Sequence, residues 1–505
     1  MQTNLAHWFL KSRYWLLCLA VIVLLGFRTD NTLWSGDFWE HSSVIRELAT
    51  HPLNPVHPQL LANAPHAFFT PYHLTLGLLV RWMGNSPVEI LARAGMFNLV
   101  LFLVGFYLFI LSITRENQAG VAFYGLLFIL LLWGEAVWNY SGFFHLRALG
   151  RIIPFPSMFA MGISLLSLAI NSWRIKTGKE FWLLPILLLT EIVLLTHPLT
   201  FLFLATGLLA FSLRAHQSFL IDVLKISALL VLTLGLATLW PYYPFWQLVL
   251  GGSAFFHAGN QDIYVYVFTR IWPLLIGLPL FVYDSARYSW RQPLLWWFVI
   301  LLIMYLLGWV SKAYSYGRVI SYVGMLLQIM IAIYLALLEV KITQRSKYPA
   351  SGQALFSLGI ILIMVLLSYK GFISPVFLSA LPQEEGRLER YYFLTQFTKQ
   401  NEVILTSIES SLVVPTFGGK VVYFDRPQPF ILDDDQRRRD VQSFFDEKTS
   451  ERERLDILSK YHVDYILLDR SDNPKWEMIR PRLAPFSKLI YRNQRFLLYK
   501  VDSML

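Results

Sequence analysis

Apolar residues fill the first three quarters of the chain in long uninterrupted runs, not at the spacing of soluble amphipathic helices. The first run covers 14–27. Others follow at 88–113, 119–138, 156–173, 181–196, 199–213, 220–240, 264–283, 293–310, 319–340 and 353–372. A helix needs roughly 20 apolar residues to cross hydrocarbon, so this pattern predicts a polytopic α-helical membrane protein of about eleven transmembrane helices. The runs 181–196 and 199–213 are short and meet at Thr196-His197-Pro198. Helices that barely span predict packing around a cavity instead of lipid on every side.

Residues 28–86, between the first two runs, are mixed in character. Phe38, Ile45 and Leu48 or Ala49 fall near one face of a predicted amphipathic helix over 38–49. Pro52, Pro55, Pro58 and Pro65 prevent the following stretch from being one helix. Pro71–Met83 is apolar but about thirteen residues long, too short to span, and reads as a helix lying at the interface. Counting it as a further span would reverse the parity of every later loop.

Beyond residue 380 the apolar runs shrink and charges become frequent. Strands are predicted at 402–408, 420–424, 464–468, 488–492 and 495–501, with helices at 433–447 and 450–462. The reading is a transmembrane module over 1–375, including the first outer loop, and a small α/β accessory domain over 380–505. That domain has no Gly-rich phosphate loop, metal motif or nucleophile elbow.

Charge then orients the chain. The 505 residues are 55% hydrophobic and 15% charged, with a formal net charge of +10. With the N-terminus inside, Arg115, 174–179, Arg214, 287–291 and 341–347 become cytoplasmic loops, and each carries Lys or Arg. The opposite loops, 30–86, 139–154, 197–198, 241–262 and 311–318, hold most of the histidines. Once the basic residues are assigned to loops, no soluble basic face remains for nucleic acid. Cys18 is the only cysteine, so no disulfide forms within the chain. Basic Lys11 and Arg13 precede the first run, and 26–30 lacks a small-x-small cleavage site, which predicts a retained signal anchor.

Three polar clusters lie on the outer side. Asp37, Glu40 and His41 follow the first run beside Phe38 and Trp39. Asp37 reads as a helix cap with Glu40 three positions on, or as a general base taking a proton from an incoming hydroxyl; one residue can do both. Glu40 and His41 would support it. No cofactor is expected; a divalent metal on Asp37, Glu40 and His41 is the alternative, though H-E-x-x-H spacing is absent. In the second cluster, Arg147 and Arg151 stand one helical turn apart after His145. The third, Lys312 to Arg318, places a planar guanidinium suited to phosphate before a late span, with Gly317 allowing close approach. Headgroup contact or snorkelling is the plain reading of these basic residues. His73, His145, His197 and His257 are candidate contacts for donor or acceptor.

An Asp after the first span, an outer loop with two interfacial helices, a basic residue before a late span and an outer C-terminal α/β domain together resemble the GT-C glycosyltransferases. Those membrane enzymes use polyprenyl-phosphate sugars. The layout is most similar to protein O-mannosyltransferases and lipid A aminoarabinose transferases. Phe69-Thr70-Pro71-Tyr72-His73 departs from the His-Pro-Pro motif of the former, and the Trp-Trp-Asp motif of oligosaccharyltransferases is absent. The segments 421–425 and 461–468 look like the accessory domain of bacterial members. The resemblance implies inverting transfer from an undecaprenyl-type phosphate donor to a hydroxyl of an envelope glycan, lipid or protein. It casts Asp37 as the base and Arg318, with Arg147, Arg151 or Lys312, as the phosphate grip. It also implies a bacterial inner-membrane enzyme with a cytoplasmic N-terminus and an extracytoplasmic C-terminal domain. The alternatives are a lipid-linked glycan transporter or flippase, and an O-antigen polymerase or ligase. A transporter would favour internal repeats, of which none is seen, and mid-membrane ionisable groups, for which the spans offer few candidates, Glu191 and, near an edge, Glu135. A polymerase or ligase would carry a large late outer loop and no such C-terminal domain.

Overall fold

A computed structural model describes residues 2–30, 34, 36–114, 117–213, 219–251, 258–287, 292–344, 347–380, 390–472 and 476–502. Each predicted apolar run carries helix. Eight segments are long and apolar enough to cross a membrane: Leu5–Phe27, Pro87–Ile113, Pro156–Thr177, Phe219–Leu239, Val267–Asp284, Pro293–Val310, Tyr314–Thr343 and Pro349–Leu378. The helices Gln118–Leu131, Leu183–Thr196 and Pro198–Ser212 have 14, 14 and 15 residues. At 1.5 Å per residue they reach about 21–23 Å, short of a ~30 Å core. The described chain therefore has eight helices of spanning length, against about eleven expected.

The chain packs as two units. The first comprises Met1–Asn31, Ala92–Trp240 and Ser253–Pro382. Small residues bring two of its helices together: a Cβ on Gly105 would lie 2.7 Å from Gly162 O, so Pro87–Ile113 and Pro156–Thr177 approach backbone to backbone. Gln118–Leu131 is buried from Gly120 to Leu131, as expected of a helix apolar all round. It stops seven residues before the predicted 138. There the Gly134 and Glu135 amides pair with Arg270 O and Thr269 O, at 2.8 and 3.1 Å, and Gln328 Nε2 satisfies the carbonyls of Phe128 and Leu132. The predicted 264–283 span is likewise broken into Val267–Ile271, a 3-10 turn Trp272–Ile276 and Gly277–Arg287. Pro273 removes a donor at the break.

Two arginines read from the sequence as orienting charges on the cytoplasmic side are buried. Arg13 is 2% exposed and grips Glu339 through Nη1 and Nη2 at 2.5 and 3.0 Å; Ser357 and Tyr124 bond the same carboxylate. Arg174 pairs with Asp222 at 2.9 Å and with Glu180 at 3.1 Å. Removing one partner strands the other charge. Arg13→Ala is therefore expected to destabilise the unit by about 3–5 kcal/mol, and pairing it with Glu339→Gln should recover part of that loss. Thermal melting in detergent measures both.

The second unit comprises Thr32–Leu91, Pro241–Gly252 and Gln383–Leu505. Its sheet has the order β2-β1-β3-β5-β4, with β1 Val403–Thr406, β2 Lys420–Val421, β3 Tyr465–Asp469, β4 Ser487–Arg492 and β5 Phe496–Val501. β1 is parallel to β2 and β3, while β5 is antiparallel to β3 and β4. All five strands begin within a residue of their predicted starts. β2 is shorter than predicted because its edge meets the first loop: Val421 N donates to Gln59 O at 2.7 Å, and Leu60 bridges Val421 in parallel. Helices Asp434–Phe444 and Glu451–Lys460 bury Val441, Phe444, Ile457 and Leu458 with Ile466, Leu468 and Leu497 of the sheet. Ser450 caps the second by accepting from Glu453 N.

The first loop, which the sequence groups with the spans, packs in this unit. It supplies Asp37–Thr50 and Pro71–Met83, both close to expectation. Gly77 lets them touch, since a Cβ there would lie 2.8 Å from that of Leu48. Pro71–Met83 leaves Trp82 82% exposed, with Leu78 and Met83 also uncovered, as suits a helix resting in a headgroup layer.

Candidate active site

Gly36 opens the Asp37–Thr50 helix at φ 64°, and no described side chain caps it. Asp37 is thus the first helical residue, not the cap, which corrects the capping-box reading. Its carboxylate turns instead to Arg426: Oδ1 and Nη2 are 2.5 Å apart, with the two side chains 42% and 34% exposed. Gly36 is needed twice over. Its φ lies in the left-handed region, and a Cβ would sit 2.9 Å from Arg426 Nη2. Arg426 stands just after β2 in Asp425-Arg426-Pro427-Gln428-Pro429, a stretch the sequence reading passed over. Its two prolines beside a charged residue were the available signal. Gln428 anchors the stretch, its Oε1 accepting from His57 Nε2 (3.1 Å) and its Nε2 donating to Glu40 Oε1 (3.4 Å).

Behind Asp37 lies a buried polar layer. Glu40, His41, His57, His66 and His73 are all 5% exposed or less. His73 Nε2 meets His41 Nδ1 at 2.9 Å, and Thr70 Oγ1 meets His73 Nδ1 at 2.8 Å while capping Pro71–Met83. His66 Nε2 faces Glu40 Oε1 at 3.5 Å, and its Nδ1 accepts from Phe68 N. His57 Nδ1 accepts from Leu60 N at 3.1 Å. Burial pushes His41 down to about 4, against a pull upward from Asp37, and holds His57 and His73 well below the ordinary range. Kept neutral near pH 7, His41 and His73 bridge the two interfacial helices.

Among the described residues no group of three or more His, Cys, Asp or Glu is placed to hold a metal ion. Asp37, Glu40 and His41 turn to different partners: Arg426, then His66 with Gln428, then His73.

The buried layer carries a pH dependence. In the unfolded chain His41 takes up its proton near pH 6.5, whereas the folded site resists until about pH 4. Its contribution is complete above about pH 6.5 and is lost as pH falls toward 4. The protein is expected to lose about 2 kcal/mol from this one group between pH 7 and pH 5. A melting series over that range checks it, with His41→Asn expected to flatten the slope.

The first unit holds the cationic cluster. Arg318 Nε donates to Asn260 Oδ1 at 2.8 Å, and its guanidinium lies 5.7 Å from the Tyr140 ring. Tyr140 donates to Asp262 Oδ2 at 2.9 Å. Arg270 stacks over Trp138 at 4.6 Å, and Trp138 Nε1 donates to Asp262 O. Burial and then the Asp262 carboxylate raise the Tyr140 phenol, and the charges of Arg318 and Arg270 pull it back. Sequence reasoning missed Arg270 because the 264–283 run reads as an unbroken span. Arg147 is half-buried and Arg151 exposed on the short helix Leu146–Ile152, and Lys312 is exposed at φ 59°. His145 and His197 are helix caps: their Nδ1 atoms accept from Ala148 N and Thr200 N, each at 3.2 Å. Burial pushes His145 down to about 4. His257 lies outside the described residues.

No protein-family model and no curated protein matches the sequence. Solved structures match the fold. The apo oligosaccharyltransferase of Archaeoglobus fulgidus superposes with a TM-score of 0.53 at 10% identity, covering 98% of this chain and 75% of that one. The same enzyme tethered to an acceptor peptide containing the NVT sequon gives 0.54 at 11% identity, with equal coverage. The arabinofuranosyltransferase AftD from Mycobacteria gives 0.52 at 12% identity, covering 97% of this chain and 40% of that one. The chain shares the fold of these solved glycosyltransferases. The resemblance drawn from loop layout is borne out at that level. Eight helices long and apolar enough to cross a membrane among the described residues, in a fold shared with membrane enzymes, are those of a multi-pass membrane protein.

Proposed function

We propose that the protein is a membrane glycosyltransferase that moves a sugar from a polyprenyl phosphate, of undecaprenyl type, to a hydroxyl acceptor at the extracytoplasmic face. The observation that carries this is an accessible carboxylate, Asp37, heading an interfacial helix directly after the first span of a chain that shares the fold of these glycosyltransferases. The archaeal oligosaccharyltransferase, solved with an inhibitory peptide and a dolichol-phosphate, supports the donor class.

In this reading Asp37 takes the proton of the acceptor hydroxyl as its oxygen attacks the anomeric carbon. The bond from that carbon to the phosphate oxygen breaks, and polyprenyl phosphate leaves with the electron pair. A phosphate anion leaves with little acid assistance. Arg318, held by Asn260, and Arg270 would carry charge developing on the phosphate, with Arg147, Arg151 and Lys312 as second candidates. The step uses no cofactor. The acceptor would be an envelope glycan, lipid or protein, and the site a bacterial inner membrane. If the three short helices also cross, the number of crossings is odd, and the basic loops would then favour a cytoplasmic N-terminus and an outer C-terminal domain.

A single displacement inverts the anomeric centre. Proton NMR of the product from a donor of defined anomer is expected to show the opposite configuration; retention would contradict the mechanism.

A further inference from the structure

We propose that Arg426 is a displaceable partner of Asp37: it holds the carboxylate before substrate binds and passes to the donor's phosphate on arrival, freeing Asp37 to take the acceptor's proton. This rests on the glycosyltransferase reading above.

Oδ1 of Asp37 is engaged by Nη2–H of Arg426, 2.5 Å away, so an incoming hydroxyl competes with the guanidinium for that oxygen. The pair is built to exchange. Both side chains are about a third or more exposed, where an ion pair is held weakly. Arg426 also uses only half of one guanidinium edge: Nη2 meets Asp37, while Nε is buried with no hydrogen-bond partner. Nε–H and Nη2–H point the same way and match two oxygens of one phosphate, which would satisfy the orphaned donor that a single carboxylate oxygen leaves unpaired. The backbone beneath the side chain is fixed. Pro427 and Pro429 restrict it, Gln428 ties it to His57 and Glu40, and Gly36 clears the path to Asp37. A positioned cation with an exchangeable head is what a handover requires.

The test is binding of undecaprenyl phosphate to the full-length protein in nanodiscs, with undecaprenol as the phosphate-free control and melting as a check on folding. Arg426→Gln is expected to weaken undecaprenyl phosphate binding by about tenfold, with Arg426→Lys in between. Asp37→Asn is expected to tighten it several-fold, because the guanidinium no longer has to be won from the carboxylate, and the double variant should lose that gain. Undecaprenol binding should not respond to either change. Wild-type affinity in both Arg426→Gln and Asp37→Asn would overturn the handover and leave the transferase reading standing. Failure of the wild type to bind undecaprenyl phosphate at all would overturn the donor assignment and the handover with it. If Arg426→Gln melts early, the Asp37→Asn and Arg426→Lys arms still decide.

Discussion

Replacing Asp37 by Asn is expected to lower the rate of sugar transfer by about 10²–10⁴-fold, the range a positioned general base supplies. Folding should survive. Asp37 is 42% exposed and its one ion pair is of the accessible kind, so melting should move by little. Asn preserves the volume at the first position of the helix but cannot accept the proton, which separates chemistry from packing. Asp37→Glu keeps a carboxylate on a longer stem and is expected to fall between the two. Initial rates of labelled sugar transfer, taken with melting curves for the same samples, decide the matter; a full rate for Asp37→Asn would remove it from the reaction. The affinity gain expected for undecaprenyl phosphate in this variant makes the prediction sharper. One substitution should slow turnover severely and improve ligand binding, which a general loss of structure cannot do.

Arg318→Gln is expected to cost about 10²-fold in kcat/KM, the scale on which removing a donor to developing charge is felt. Arg318→Lys should not restore it. The Nε contact to Asn260 fixes a planar fork that an ammonium cannot reproduce. Arg270→Gln is expected to cost less, about tenfold, because its guanidinium stacks on Trp138 and acts at longer range. Tyr140→Phe keeps the ring and removes only the hydroxyl bonded to Asp262, and serves as the control expected to stay near wild type. Steady-state kinetics with donor varied separate these outcomes, and equal rates for all four variants would exclude this cluster from the phosphate's path.

Much of the architecture is legible in local pattern, because local pattern is what sets it. The apolar runs mark the helices, the two interfacial helices fall where amphipathicity and proline place them, and Ser450 announces its helix with Glu453 three positions on. What escapes the sequence depends on partners far along the chain. Arg13 looks like a topogenic charge until Glu339 is seen against it. The edge of β2 needs Leu60 and Gln59 from the first loop. Asp37 was visible as a candidate from its place after the first span, but Arg426 was not, since nothing in Asp425-Arg426-Pro427 says which carboxylate it will meet. Arg270 was hidden by apolar neighbours whose helix breaks at Pro273, beside carbonyls that the Gly134 and Glu135 amides take up. The capping role expected of Asp37 failed for a local reason: Gly36, with its positive φ, already occupies the position before the helix.

The most direct measurement uses the purified full-length protein in liposomes and a polyprenyl-phosphate sugar labelled in both the lipid phosphate and the sugar. A transferase must release free labelled polyprenyl phosphate only when acceptor is present, one for each sugar that appears on the acceptor, and Asp37→Asn must stop both together. Movement of the doubly labelled lipid across the bilayer with no release of polyprenyl phosphate would contradict the account.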